Sequence, residues 1–68
     1  MSVLITVNGQ ARTAPLGITL DQLVAESTEL TSGVAAAVGG DVVPRKKWAE
    51  TAINDGDRIE IVTAVQGG

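Results

Sequence analysis

The chain contains no cysteine, no histidine, no phenylalanine and no tyrosine, and its single aromatic residue is Trp48. Each absence removes a class of function. Without cysteine there is no disulfide, no thiolate nucleophile and no thiolate metal ligand. Without histidine the usual neutral-pH base and the commonest metal ligand are both missing. One aromatic side chain makes no stacking platform for bases. Basic residues are also scarce: five against eight acidic ones, for a net charge of −3. That disfavours nucleic-acid binding, whose affinity comes largely from phosphate neutralisation. The longest apolar run, Val34 to Val38, is far too short to cross a bilayer. No charged segment followed by an apolar stretch opens the chain, so no signal peptide is expected. These absences lead to the expectation of a soluble cytoplasmic protein that binds neither nucleic acid nor membrane. It carries no metal or cofactor site and is not an enzyme, so it acts as a partner or a substrate of other proteins.

What remains is 68 residues, enough for one small domain spanning 1–68. A domain of this size buries only about 60% of the surface its unfolded chain exposes, so its stability is marginal. No segment repeats and no linker divides it.

Val3, Ile5 and Val7 alternate with Ser2, Leu4 and Thr6, the pattern of a strand with one apolar face. Leu4 on the other face suggests partial cover on both sides. Asn8-Gly9 suits a type I′ turn, because both positions tolerate positive φ. Gln10 to Ala14 then returns as an edge strand, ended by Pro15. Thr19 and Gln22 form a capping box, with Ile18 and Leu23 as its hydrophobic staple. Asp21 in the first turn complements the helix dipole. The helix spans Leu20 to Ser27, with Leu20, Leu23 and Val24 on one face.

Val34–Val38 and Asp41–Val43 read as two short strands joined by a Gly39-Gly40 turn. Arg45, Lys46 and Lys47 either steer acidic partner surfaces or lie on a solvated turn. Trp48 is either an interface anchor or a lid on the small core. Ala49 to Ile53 suggests a helical turn. Asn54-Asp55-Gly56-Asp57 is a tight turn, in which Asp55 and Asp57 act as turn formers, and a last strand runs from Arg58 to Thr63. Strands and a single helix that bury their apolar faces together make a two-layer α+β domain. The first and last strands are the most apolar and belong inside the sheet.

Beyond Thr63, Ala64-Val65-Gln66 leads to Gly67-Gly68. Gly67-Gly68 is the flexible, side-chain-free tip of a tail of about residues 64–68, and glycine lets a backbone pass through a channel that any Cβ would block. Read alone, Gly67-Gly68 is first of all a frayed end, since termini are commonly disordered and rich in small residues.

Further residues carry a resemblance. The last strand, Asp-Arg-Ile-Glu-Ile-Val-Thr-Ala-Val-Gln, ends in Gly67-Gly68. Val42-Val43-Pro44-Arg45 is followed by Trp48. The turn Asp55-Gly56-Asp57 and the hairpin Val7-Asn8-Gly9 complete the set. Over its full length the chain resembles the sulfur carrier proteins of thiamine biosynthesis, the ThiS family. One small departure is Gly39-Gly40, where relatives are expected to have Asn-Gly. The small subunit of molybdopterin synthase is also similar in fold and tail, but it is usually longer and is not associated with the Pro-Arg-x-x-Trp segment.

The resemblance implies a ubiquitin-like β-grasp fold, with a mixed sheet of four to five strands packed on one short helix. It implies that an E1-like adenylating enzyme of the ThiF type converts the Gly68 carboxylate into an acyl-adenylate. A cysteine-persulfide sulfur donor then leaves a thiocarboxylate there. Thiazole synthase of the ThiG type takes the sulfur into the thiazole ring. The composition fits: a chain without cysteine has no thiol side chain on which to carry transferable sulfur. Val65, Gln66, Gly67 and Gly68, if extended, reach roughly 13 Å at about 3.3 Å per residue, enough to thread a partner's active site. Leu4, Val62 and Trp48 are candidates for the surface on which that partner docks. Other readings are a ubiquitin-like modifier that joins Gly68 to lysines, and a non-covalent binding module of the same fold.

Overall fold

Asn8 and Gly9 turn the chain back on itself almost as soon as it begins. In the computed structural model, which describes residues 1–29 and 33–63, both have positive φ, 52° and 84°. This is the left-handed region that asparagine and glycine tolerate best. The turn joins β1 (Ser2–Val7) to β2 (Gln10–Pro15) in an antiparallel hairpin whose register runs from Ser2 opposite Pro15 to Val7 opposite Gln10. The next elements are the helix α1 (Leu20–Ser27), β3 (Val34–Val38), β4 (Asp41–Val43), a 3₁₀ helix (Arg45–Glu50) and β5 (Arg58–Thr63).

The five strands form one mixed sheet in the order β2-β1-β5-β3-β4. β1 and β5 are parallel neighbours, and β5 is antiparallel to β3. The two most apolar strands therefore lie side by side within the sheet, and β2 is an edge strand as its composition predicts. β3 returns as β4 through Gly39 and Gly40, both at positive φ.

One layer covers one face. Val3, Ile5, Ile59 and Ile61 turn inward at alternate positions and meet Leu20, Leu23 and Val24 of α1 in the core. Ile5, Leu20, Leu23, Ile53 and Ile59 are almost wholly excluded from solvent. Each such side chain stabilises the fold by about 1.5–3 kcal/mol relative to exposure. Among the described residues no element packs on the opposite face, and Leu4 on it is 56% exposed. This corrects the expectation of cover on both sides: α1, the one α-helix among the described residues, is already committed to the inner face.

The capping box closes at the start of α1. Thr19 is extended, Gln22 Oε1 accepts from Thr19 N–H at 3.1 Å, and the Thr19 hydroxyl donates to the Asp21 carboxylate. The first helical N–H, on Leu20, has no partner within the helix. It donates to the Thr51 carbonyl at 2.9 Å, and Ile53 N–H donates to the Ile18 carbonyl at 2.9 Å. This pairing moves the helical turn expected at Ala49 to Ile53. The 3₁₀ helix begins earlier, with Lys47 N–H donating to the Pro44 carbonyl at 2.8 Å. From Thr51 to Ile53 the chain is extended, because its backbone groups serve residues 18–20.

Trp48 lies in this 3₁₀ helix and is 5% exposed. Its indole Nε1 donates to the Val43 carbonyl at 2.8 Å, and the Arg45 guanidinium carbon sits 5.3 Å from the ring centroid. Trp48 is a core residue. Its assignment to an exposed docking surface is corrected, since the ring packs inward and its one polar atom is satisfied within the chain.

Candidate functional site

β5 organises the site because it leads into the C-terminal segment. Gly68, Gly67, Gln66 and Val65, the residues predicted to carry and present the sulfur, lie outside the described residues. What is described is how the chain is held up to Thr63.

β5 is clasped from both sides. On one side it pairs with β3, from Val38 opposite Ile59 to Val34 opposite Thr63. On the other it pairs with β1: Thr6 N–H donates to the Asp57 carbonyl at 3.1 Å and Asn8 N–H to the Ile59 carbonyl at 2.9 Å. The turn before β5 is fixed by its two aspartates. Asp57 Oδ2 accepts from Asn54 N–H at 2.8 Å, and Asp57 N–H donates to the Asn54 carbonyl at 3.0 Å, so the two ends of the turn are tied together. Asp55 Oδ1 accepts from Leu4 N–H at 2.8 Å, tying the turn to β1. Both are turn formers, and among the described residues no group of three potential metal ligands comes together.

Beside the end of β5, the uncovered face of the sheet carries an apolar patch. Val62 lies across from Ala35, and Ala37 lies between Val42 and Glu60. The two alanines are low, so Val42 and Val62 stand above them as the walls of a shallow depression, completed by Gly40 and Glu60. Val42 is 73% and Val62 61% exposed. Contiguous apolar surface of this kind, edged by a charge, is what a partner buries.

Leu4 shares the face but not the patch. With Thr6 level with Arg58, Leu4 is level with Gly56, whose N–H donates to the Leu4 carbonyl at 2.7 Å. That places it roughly 20 Å from Val62 along the strand direction, at about 3.3 Å per residue. Of the three proposed docking residues, Val62 alone sits beside the exit of β5. Ala35, Ala37 and Val42 escape a sequence reading, because only the β3–β5 and β3–β4 registers bring them to Val62.

The charged side chains are dispersed. Arg12 pairs with Glu26 at 3.0 Å, and Lys47 lies 3.9 Å from Glu50. Such exposed pairs contribute little, typically about 0–1 kcal/mol. With Arg45 stacked over Trp48, two of the three cations from Arg45 to Lys47 have partners within the chain. No polar or charged side chain is buried among the described residues, so the folded body presents no desolvated acid or base.

Comparison with known proteins adds a second line of observation. The family model described as the ThiS family matches residues 5–68. The chain is 33% identical over 64 residues to the sulfur carrier protein ThiS of Escherichia coli (strain K12), covering 94% of this chain and 97% of that one. It is also 33% identical over 64 residues to a thiazole synthase of Paramagnetospirillum magneticum, of which it spans only 20%. The crystal structure of the thiamine biosynthesis protein ThiS from Geobacter metallireducens superimposes with a TM-score of 0.81 at 26% identity. That match covers 97% of this chain and 100% of that one.

Proposed function

We propose a sulfur-carrier role on one premise: this chain belongs to the ThiS family. Its fold is the ubiquitin-like β-grasp, and its part in thiamine biosynthesis is to carry sulfur, not to catalyse. The family match carries the reading, because it runs through Gly67 and Gly68 and takes in nearly the whole of a known carrier.

The chemistry centres on the Gly68 carboxylate, which is a poor electrophile. An oxygen of that carboxylate attacks the α-phosphorus of ATP on an E1-like adenylating enzyme of the ThiF type, and pyrophosphate leaves. The outer sulfur of a cysteine persulfide attacks the resulting acyl-adenylate. A C–S bond forms and AMP leaves. A thiol then cleaves the S–S bond, and the thiocarboxylate remains on Gly68. The absence of cysteine from the chain supports this route, since no side chain competes as a sulfur carrier.

Residues 1–68 act as one β-grasp domain whose residues 64–68 form the tail. Val65, Gln66 and Gly67 thread the partner's active site while the body stays outside, with Val62, Ala35, Ala37 and Val42 as the docking patch. The sulfur passes to a thiazole synthase of the ThiG type. A stretch similar to this chain within a protein named thiazole synthase supports that pairing. The setting is cytoplasmic; no helix among the described residues is long and apolar enough to cross a membrane.

The test is pyrophosphate exchange. With an adenylating enzyme of the ThiF type, the chain promotes incorporation of labelled pyrophosphate into ATP. A chain that is not adenylated leaves the label out, and a purely non-covalent binding module behaves that way.

A further inference from the structure

Asn8 begins the hairpin turn, and its positive φ alone would account for an asparagine there. Its side chain does something further. The parallel ladder between β1 and β5 advances by steps: Thr6 N–H to the Asp57 carbonyl, then Asn8 N–H to the Ile59 carbonyl. One more step would need an acceptor for Ile61 N–H and a donor for the Ile61 carbonyl. By then β1 has turned away into β2.

The Asn8 amide supplies both groups. Ile61 N–H donates to Asn8 Oδ1 at 2.8 Å, and Asn8 Nδ2 donates to the Ile61 carbonyl at 3.0 Å. A primary amide carries an acceptor and a donor side by side, as a peptide group does. Aspartate offers only acceptors when ionised, and glycine offers nothing. The side chain therefore extends the ladder by one rung without extending the strand.

We infer that Asn8 is a positioning residue for the C-terminal tail: it clamps β5 at Ile61 and thereby sets where, and in what direction, residues 64–68 leave the sheet. The role rests on the carrier reading above. Ile61 lies just before Thr63, the end of β5, so the clamp acts next to the exit. Without it, the end of β5 is held chiefly by β3, and two-stranded ribbons twist more than wider sheets. A change of about 5° in exit direction moves the tip of a tail of roughly 16 Å by about 1.4 Å. Misplacement of about 1 Å can cost about 100-fold in rate.

Asn8→Gly is the direct test, because it keeps positive φ accessible and removes the amide. Asn8→Asp keeps an acceptor for Ile61 N–H and tolerates the same turn. Adenylation is measured at a temperature where each variant is folded. We expect Asn8→Gly to lose about tenfold or more in kcat with little change in KM, because the docking patch is untouched. Asn8→Asp should fall between it and the wild type. Amide hydrogen exchange at Ile61 should quicken in Asn8→Gly, while Ile59 and Ala36 keep their protection. If Asn8→Gly does not fold, Asn8→Asp carries the test, and its kcat must drop at unchanged KM. A folded Asn8→Gly chain with the wild-type kcat overturns the inference, as does unchanged exchange at Ile61. A wild-type chain that is never adenylated sinks the carrier reading and the assigned role with it. The exchange result then still decides, without any partner, whether Asn8 holds the strand.

Discussion

The indole N–H of Trp48 donates to the carbonyl of Val43 at 2.8 Å, so the only aromatic ring of the chain is tied to the end of β4 as well as buried. Two costs follow for substitutions. Trp48→Phe keeps an aromatic body and loses the hydrogen bond, at about 1 kcal/mol. Trp48→Ala loses the ring and should cost about 3–5 kcal/mol. A core of this size rarely supplies more than about 3–5 kcal/mol in all, so the alanine variant should be largely unfolded. Far-UV circular dichroism during urea titration reads both, since the fluorescent probe is itself the residue removed. A Trp48→Ala chain with the wild-type midpoint would show that the ring is not part of the core.

The helix cap makes a smaller, cleaner prediction. Thr19→Ala removes the hydroxyl at the N-cap and should lower stability by about 1 kcal/mol. The denaturation midpoint should fall at unchanged slope. An unmoved midpoint would mean that the Thr51 carbonyl, which accepts from Leu20 N–H, holds the helix start by itself.

The proposed docking role of Val62 is separable from folding because its side chain is 61% exposed. Val62→Asp should change stability by less than about 1 kcal/mol and raise KM for the adenylating enzyme several-fold. Ala35→Asp, directly across the sheet from it, should do the same. Leu4→Asp is the control: it places the same charge on the same face but away from the patch, and should leave KM near the wild-type value. Equal effects at Leu4 and Val62 would dissolve the patch into a general sensitivity to surface charge. Unfolding of Val62→Asp would place Val62 in the core.

Much of the fold is legible in the sequence because its signals are local. Asn8-Gly9, the Thr19-Gln22 box and the alternation in Ser2–Val7 and Arg58–Thr63 each act within a few residues, and each element forms where it is expected. The family is legible from short segments for the same reason. Trp48 is legible in part: a lone aromatic reads as a lid on the small core or as an interface anchor, and the 3₁₀ helix after Pro44 decides for the core by turning the ring inward. The extended run at 51–53 is set by residues 18–20, far away in the chain. The apolar patch proposed for docking depends on which strands pair and in what register, so Ala35, Ala37 and Val42 give no sign of it on their own. The second role of Asn8 is hidden behind its first, since a turn alone suffices to explain the residue.

The central claim is that sulfur is carried on Gly68 and that the backbone before it passes through a confined channel. Intact-mass measurement tests this most directly, after incubation with ATP, an adenylating enzyme and a sulfur source. The wild-type chain should gain the mass of one oxygen exchanged for sulfur. Deletion of Gly68 withdraws the carboxylate by about 3.3 Å, and Gly67→Val puts a branched Cβ in the channel. Neither variant should gain sulfur, and both should keep the wild-type melting temperature, because the core is built from residues between Val3 and Ile61. A wild-type chain that never gains sulfur beside a competent partner enzyme contradicts the account, and a Gly67→Val chain that gains it at the wild-type rate contradicts the channel.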